Sequence, residues 1–121
     1  MNYRHKLLAG GKWQELTFFE QMANVGSEVE RTIIWREKNK QNSLNAIERA
    51  LELMDLTIAD RRNRKRLKEL SRLREAIVDY FYFDNRYGST DELWQKYFYA
   101  FSYAARMNRH NRVDAKNDGK E

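Results

Sequence analysis

Apolar side chains recur at three- and four-residue steps through most of this chain, and no proline interrupts any of the runs. That combination limits the fold more than any other feature. At 3.6 residues per turn an α-helix gathers such positions into one stripe, whereas a strand would scatter them over both faces. Phe18, Met22, Val25, Val29 and Ile33 form the first stripe, and Leu44, Ile47, Leu51, Met54 and Ile58 the second. Leu67, Leu70, Leu73, Ile77 and Phe81 form a third, rotated away from the second. Leu93, Trp94, Tyr97, Phe98, Phe101, Ala104 and Ala105 make a broad fourth face. Four amphipathic helices with short connections predict an all-α fold, a four-helix antiparallel bundle.

The helix ends are also written in the sequence. Thr17 and Glu20 have capping-box spacing at the start of the first helix, as do Ser89 and Glu92 at the start of the last. Gly26 lies beside the first stripe and allows a close helix approach. A break near Asp60 to Asn63 accounts for the rotation between the second and third stripes, with a single bent helix as the alternative. Periodicity fades after Arg106, so residues 1–106 are expected to be one domain, with 1–16 as an N-terminal arm anchored by Trp13. Residues 107–121 are expected to be a frayed, disordered tail.

Composition narrows the chemistry. The chain has no cysteine, which removes thiolate nucleophiles, disulfides and Cys-ligated zinc, and fits a reducing, cytoplasmic location. No apolar run is long enough to span a membrane, and the apolar centre of the N-terminal stretch is too short for a secretory signal peptide. The two histidines, His5 and His110, fall in terminal segments and read as exposed residues. Neither a Gly-rich phosphate loop nor the Glu-x-x-His motif of carboxylate-bridged metal bundles occurs. No cofactor and no metal site is expected. Glu48, Glu52, Asp55, Glu75 and Asp79 leave a metal-dependent nucleotide hydrolase as a third reading, because carboxylates on neighbouring helices can hold magnesium. Their spacing differs from the Glu-Glu-x-x-Glu and Glu-x-x-Asp patterns of the all-α pyrophosphohydrolases.

The net charge of +5 is concentrated in one place. Residues 61–74, "RRNRKRLKELSRLR", carry eight cations and one acid, while the segments before and after are each −1. Arg61, Arg62, Arg64, Lys65, Arg66, Lys68 and Arg72 are therefore candidates for contact with RNA or DNA phosphates. The competing reading is a solvated helix face with local ion pairs to Glu75 and Asp79. Arg74 projects into the apolar face of its helix and requires a carboxylate; Glu28, at the edge of the first stripe, is the expected partner in a buried ion pair.

A second group of residues points to protein partners. Ile34 and Trp35 project away from the first stripe, and Tyr99 and Tyr103 lie with Lys96 and Arg106 on the outer side of the last helix. Bulky apolar groups outside a core favour self-association or a protein interface. The leading expectation is thus a non-enzymatic bundle acting as a homo-oligomer or protein-binding module.

The phrases "QMANVGSEVERTI", "ERALELMDLTI", "RLREAIVDYF" and "YFYAFSYAAR" resemble those of a small uncharacterised family of prokaryotic helical-bundle proteins, which implies a four-helix bundle over residues 17–106. At the level of the fold alone the pattern is similar to HEPN domains, helical bundles that often dimerise and act as RNases or as partners of nucleotidyltransferases. Their nuclease motif places four to six residues between an Arg and a His. Here Arg106 and His110 are separated by three, so the resemblance implies a non-catalytic partner, and no catalytic residue is carried over.

Overall fold

The computed structural model describes residues 11–118, with side chains through Asn108. Residues 1–10 of the expected N-terminal arm, His5 among them, lie outside the described residues, as does the side chain of His110. Among the described residues there are four helices: α1 (Phe18–Trp35), α2 (Lys40–Ala59), α3 (Leu67–Tyr82) and α4 (Asp91–Asp118). Short 3₁₀ segments, Lys12–Glu15 and Arg61–Arg66, precede α1 and α3. The backbone stays helical past Arg106, where the sequence reading ends the last helix.

The first cap follows the sequence directly. Glu20 N donates to Thr17 Oγ1 at 3.1 Å while Thr17 N donates to Glu20 Oε1 at 2.9 Å, a reciprocal capping box. Asn39 caps α2 by accepting from Asn42 N. At α4 the cap is one residue later than expected: Thr90 Oγ1 accepts from Leu93 N, and Ser89 is instead buried in the preceding turn. There Asn85 takes the left-handed conformation at φ 54° and exchanges hydrogen bonds with Ser89 through both ends of its amide. The turn ties down the backbone N–H and carbonyl of Ser89, so the residue that spacing alone assigns to the helix cap belongs to the turn instead.

Helix α1 packs against both α2 and α4, and α3 packs against α2, so α3 occupies the corner diagonal to α1. The antiparallel run of α1 and α4 is marked by Arg36 meeting Asp91 at one end and Phe18 meeting Phe101 at the other. Between them Gly26 faces Phe98, and the absence of a side chain sets the helix separation. Met22, Val25, Ile47, Met54 and Ile77 are essentially inaccessible at the centre, with Trp94 and Phe98 closing the α4 side. Trp13 is also buried, which is how the 3₁₀ turn before α1 joins the core.

The second stripe is displaced from its predicted position. Ser43, Ala46, Ile47, Ala50, Leu53, Met54 and Thr57 are the buried positions of α2, whereas Leu44 is exposed and Leu51 and Ile58 are only half-buried. The reason is that α2 serves two neighbours. Ser43 and Arg49 reach α1, and Asp55 reaches α3, so the buried arc of α2 is set by two directions at once and not by a single stripe.

Candidate functional site

The basic run is not a uniform set of free cations. Arg62 Nη2 donates to Asp60 Oδ2 at 2.7 Å and to the Leu16 carbonyl at 2.7 Å, and Arg62 Nε donates to Asp60 Oδ1. Gln21 Nε2 donates to the other side of the same cluster, to Asp60 Oδ2 at 2.8 Å and to the Trp13 carbonyl. Asn63 Nδ2 donates to Gln21 Oε1 and to the Thr57 carbonyl, both at 2.9 Å. Gln21, Asp60 and Asn63 are buried, and together with Arg62 they tie the first turn, α1 and the α2–α3 connection into one polar joint. Arg62 holds the Asp60 carboxyl down at about 2, against the opposing effect of burial and with help from Gln21.

Arg66 is also occupied: its guanidinium lies 4.2 Å from the centroid of the Phe18 ring. Arg74 pairs with Asp55 across α2 and α3, Nε to Oδ1 at 2.8 Å, and not with Glu28. Glu28, which is buried, takes Arg31 at 2.6 Å and Arg49 at 3.1 Å instead. The expected Glu28–Arg74 pair is thus replaced by two separate ones, because α3 sits diagonal to α1 while Arg49 on the adjacent α2 reaches Glu28 directly. Arg61, Arg64, Lys65, Lys68 and Arg72 remain exposed and form no ion pair among the described residues.

The carboxylates of the hydrolase reading are not assembled. Asp55 is engaged by Arg74, and both oxygens of Asp79 accept backbone amides, from Arg86 at 2.9 Å and Tyr87 at 3.1 Å, closing the turn into α4. Among the described residues no three His, Asp or Glu side chains stand close enough to hold a metal ion. Nor, among them, is any helix long and apolar enough to cross a membrane.

The outer groove between α1 and α4 forms a concavity of about 510 Å³. Gly26, Ser27 and Ser102 supply small residues, Trp94, Phe98 and Tyr99 supply aromatic surface, and Glu30 and Arg31 stand on the α1 side. Of the four interface candidates, Tyr99 lines this groove, and Tyr103 lies one turn further along α4. Ile34 continues the row of Ser27 and Glu30 at helical spacing, whereas Trp35 turns a step toward the α2 side. Their exposures are 47 % for Ile34, 38 % for Trp35, 62 % for Tyr99 and 53 % for Tyr103. Arg106 sits over the Tyr99 ring at 5.9 Å. The sequence reading found the exposed aromatics but missed the groove, because its floor depends on the close approach of Gly26 to Phe98.

At the end of the groove Asp91 accepts two hydrogen bonds of 3.1 Å from Arg36 and one from the Tyr80 hydroxyl. Burial raises the Asp91 pKa, but the hydrogen bonds from Tyr80 and Arg36 outweigh it and hold the carboxyl below its ordinary value. Comparison with protein-family models, curated proteins and solved structures gives no significant match.

Proposed function

We propose that this chain is a cytoplasmic, non-enzymatic helical-bundle protein that self-associates through the α1–α4 face, its occupant being a second copy of the same face. The observation carrying this reading is the pair Tyr99 and Tyr103, both more than half exposed on successive turns of α4 beside a groove with an aromatic wall. Tyrosines that bury area at low entropic cost are favoured anchors of interfaces. Ile34, exposed on α1 one turn beyond the groove's lining, extends the apolar surface past its end.

Charge complementarity favours a second copy over an unrelated partner. Glu30 and Arg31 stand together on the α1 side, and Arg106 stands on α4, so a two-fold axis across the groove would set acid against base in both directions. Trp35 would lie at the rim of such an interface.

Sedimentation equilibrium from low to high micromolar concentration tests the proposal, using the parent chain and Tyr99→Ser/Tyr103→Ser. The parent is expected to approach twice the chain mass, and the double variant to stay at the chain mass with unchanged helicity. A parent that remains monomeric throughout overturns the reading.

A further inference from the structure

The cations that structural contacts leave over form a ridge. Arg61 and Arg64 are one turn apart in the 3₁₀ segment, and counted from Arg61 the cations Lys65, Lys68 and Arg72 follow at four-, three- and four-residue steps into α3. All five are exposed, and Lys68 and Arg72 lie on the side of α3 opposite buried Leu70 and Ile77. With about 2 Å of rise per residue in the 3₁₀ segment and about 1.5 Å in α3, they extend over roughly 20 Å.

Glu69 is the one acid within the run, against eight cations, and the two acids that follow it along the same helix are turned to other tasks. Glu75 accepts from the Tyr87 hydroxyl at 3.3 Å, and Asp79 is committed to backbone amides. The solvated-face reading relied on those two residues as ion-pair partners. Positive charge at the start of a helix also opposes the helix dipole, so the arrangement costs stability in the free protein. An external polyanion relieves both the mutual repulsion and the dipole conflict.

We propose that Arg61, Arg64, Lys65, Lys68 and Arg72 form a docking surface for the phosphodiester backbone of a nucleic acid, bound without reading its bases. A linear row of cations, three of them arginines able to donate two parallel hydrogen bonds, fits a linear row of phosphates. An anionic membrane fits less well, since a helix lying in a bilayer interface needs a free apolar face and that of α3 is spent on the bundle core. The ridge lies on the helix diagonal to α1, so it is separate from the α1–α4 groove and independent of self-association.

The test is fluorescence anisotropy of labelled duplex DNA and single-stranded RNA over a range of salt concentrations. The parent is compared with a variant in which all five ridge cations become Gln. A charge-matched control carries Gln at Lys12, Lys38, Lys40, Arg86 and Lys96, which are exposed elsewhere. Five phosphate contacts predict a logarithmic salt slope of about −4 on duplex and about −3 on single strands. The ridge variant is expected to lose nearly all of that slope, about four units on duplex, and the control less than one. If the five-fold variant fails to fold, Lys65→Gln/Lys68→Gln/Arg72→Gln is expected to lose about two units. No binding by the parent at low salt, or equal losses in ridge variant and control, overturns the proposal. So does ridge-dependent binding to phosphatidylserine vesicles without binding to nucleic acid, which would assign the surface to a membrane.

Discussion

Arg62 and Asp60, two residues apart at the α2–α3 corner, form an ion pair in which the carboxylate is almost wholly enclosed and the guanidinium also caps the Leu16 carbonyl. The most conspicuous charge run in the sequence is therefore partly internal scaffolding. With a folded pKa of about 2 against an ordinary 3.8, Asp60 binds its proton less readily in the native state. Its contribution is fully present above the unfolded value and disappears as pH falls through the folded one. The shift corresponds to about 2 kcal/mol. Denaturant titrations between neutral pH and pH 2 are expected to show that loss in the parent chain, and a curve flatter by a similar amount in Asp60→Asn. Equal acid sensitivity in both proteins would remove Asp60 from the account.

Gly26 yields a second prediction. A Cβ built there lies 2.5 Å from Phe98 Cβ and under 3 Å from two ring atoms, so Gly26→Ala must push α4 outward or twist Phe98 off its rotamer. A cost of about 1–3 kcal/mol is expected from overpacking, despite the better helix propensity of alanine. Chemical denaturation measures it. A neutral or stabilising Gly26→Ala would show that the α1–α4 separation is not set at this contact.

Much of the fold was readable because local rules agreed. Thr17 with Glu20, the Phe18-to-Ile33 stripe and the break near Asp60 each follow from spacing that a helix enforces. The Ser89 cap failed where a competing turn, built by Asn85 in a left-handed conformation, claimed the backbone N–H and carbonyl of Ser89. Leu44 failed because burial on α2 depends on two neighbours whose directions no single-helix projection contains. The candidate sites were less legible for the same reason. Exposure of Tyr99 follows from helix phase, but the partner of Arg74, the occupation of Arg62 and Arg66, and the groove beside Gly26 all depend on which helices become neighbours.

The ion pairs of Glu28 and Arg74 separate buried from exposed electrostatics. Glu28 is buried and stands between Arg31 and Arg49, with the Arg49 side chain only 13 % exposed. Removing the carboxylate in Glu28→Ala strands that cation, and a loss of about 1–3 kcal/mol is expected. Arg74 and Asp55 have side-chain exposures of 37 % and 60 %, so Arg74→Met is expected to change stability by less than about 1 kcal/mol. Urea unfolding of the two variants checks the ordering, and a larger loss in Arg74→Met would reverse the assignment.

Asp91 joins three helix ends through Arg36, Tyr80 and its own place in the first turn of α4. Tyr80 is the neutral donor in this set; burial and then Asp91 raise its pKa, so the hydroxyl keeps its proton beyond the ordinary phenol range. Changing Tyr80 to Phe deletes one hydrogen bond while leaving the aromatic edge against Trp94 in place. The Asp91 carboxyl then keeps Arg36 but loses the Tyr80 donor. Its pKa is expected to rise toward the ordinary carboxylate value, read from the carboxyl carbon by NMR, with a stability loss of about 1 kcal/mol. Because Asp91 lies at the end of the α1–α4 groove, the same variant is expected to weaken self-association without abolishing it, unlike substitution of Tyr99 and Tyr103. An unchanged Asp91 titration in Tyr80→Phe would mean that Arg36 alone fixes the carboxylate, and that the α3 end is held to α4 only by the packing of Tyr80 on Trp94.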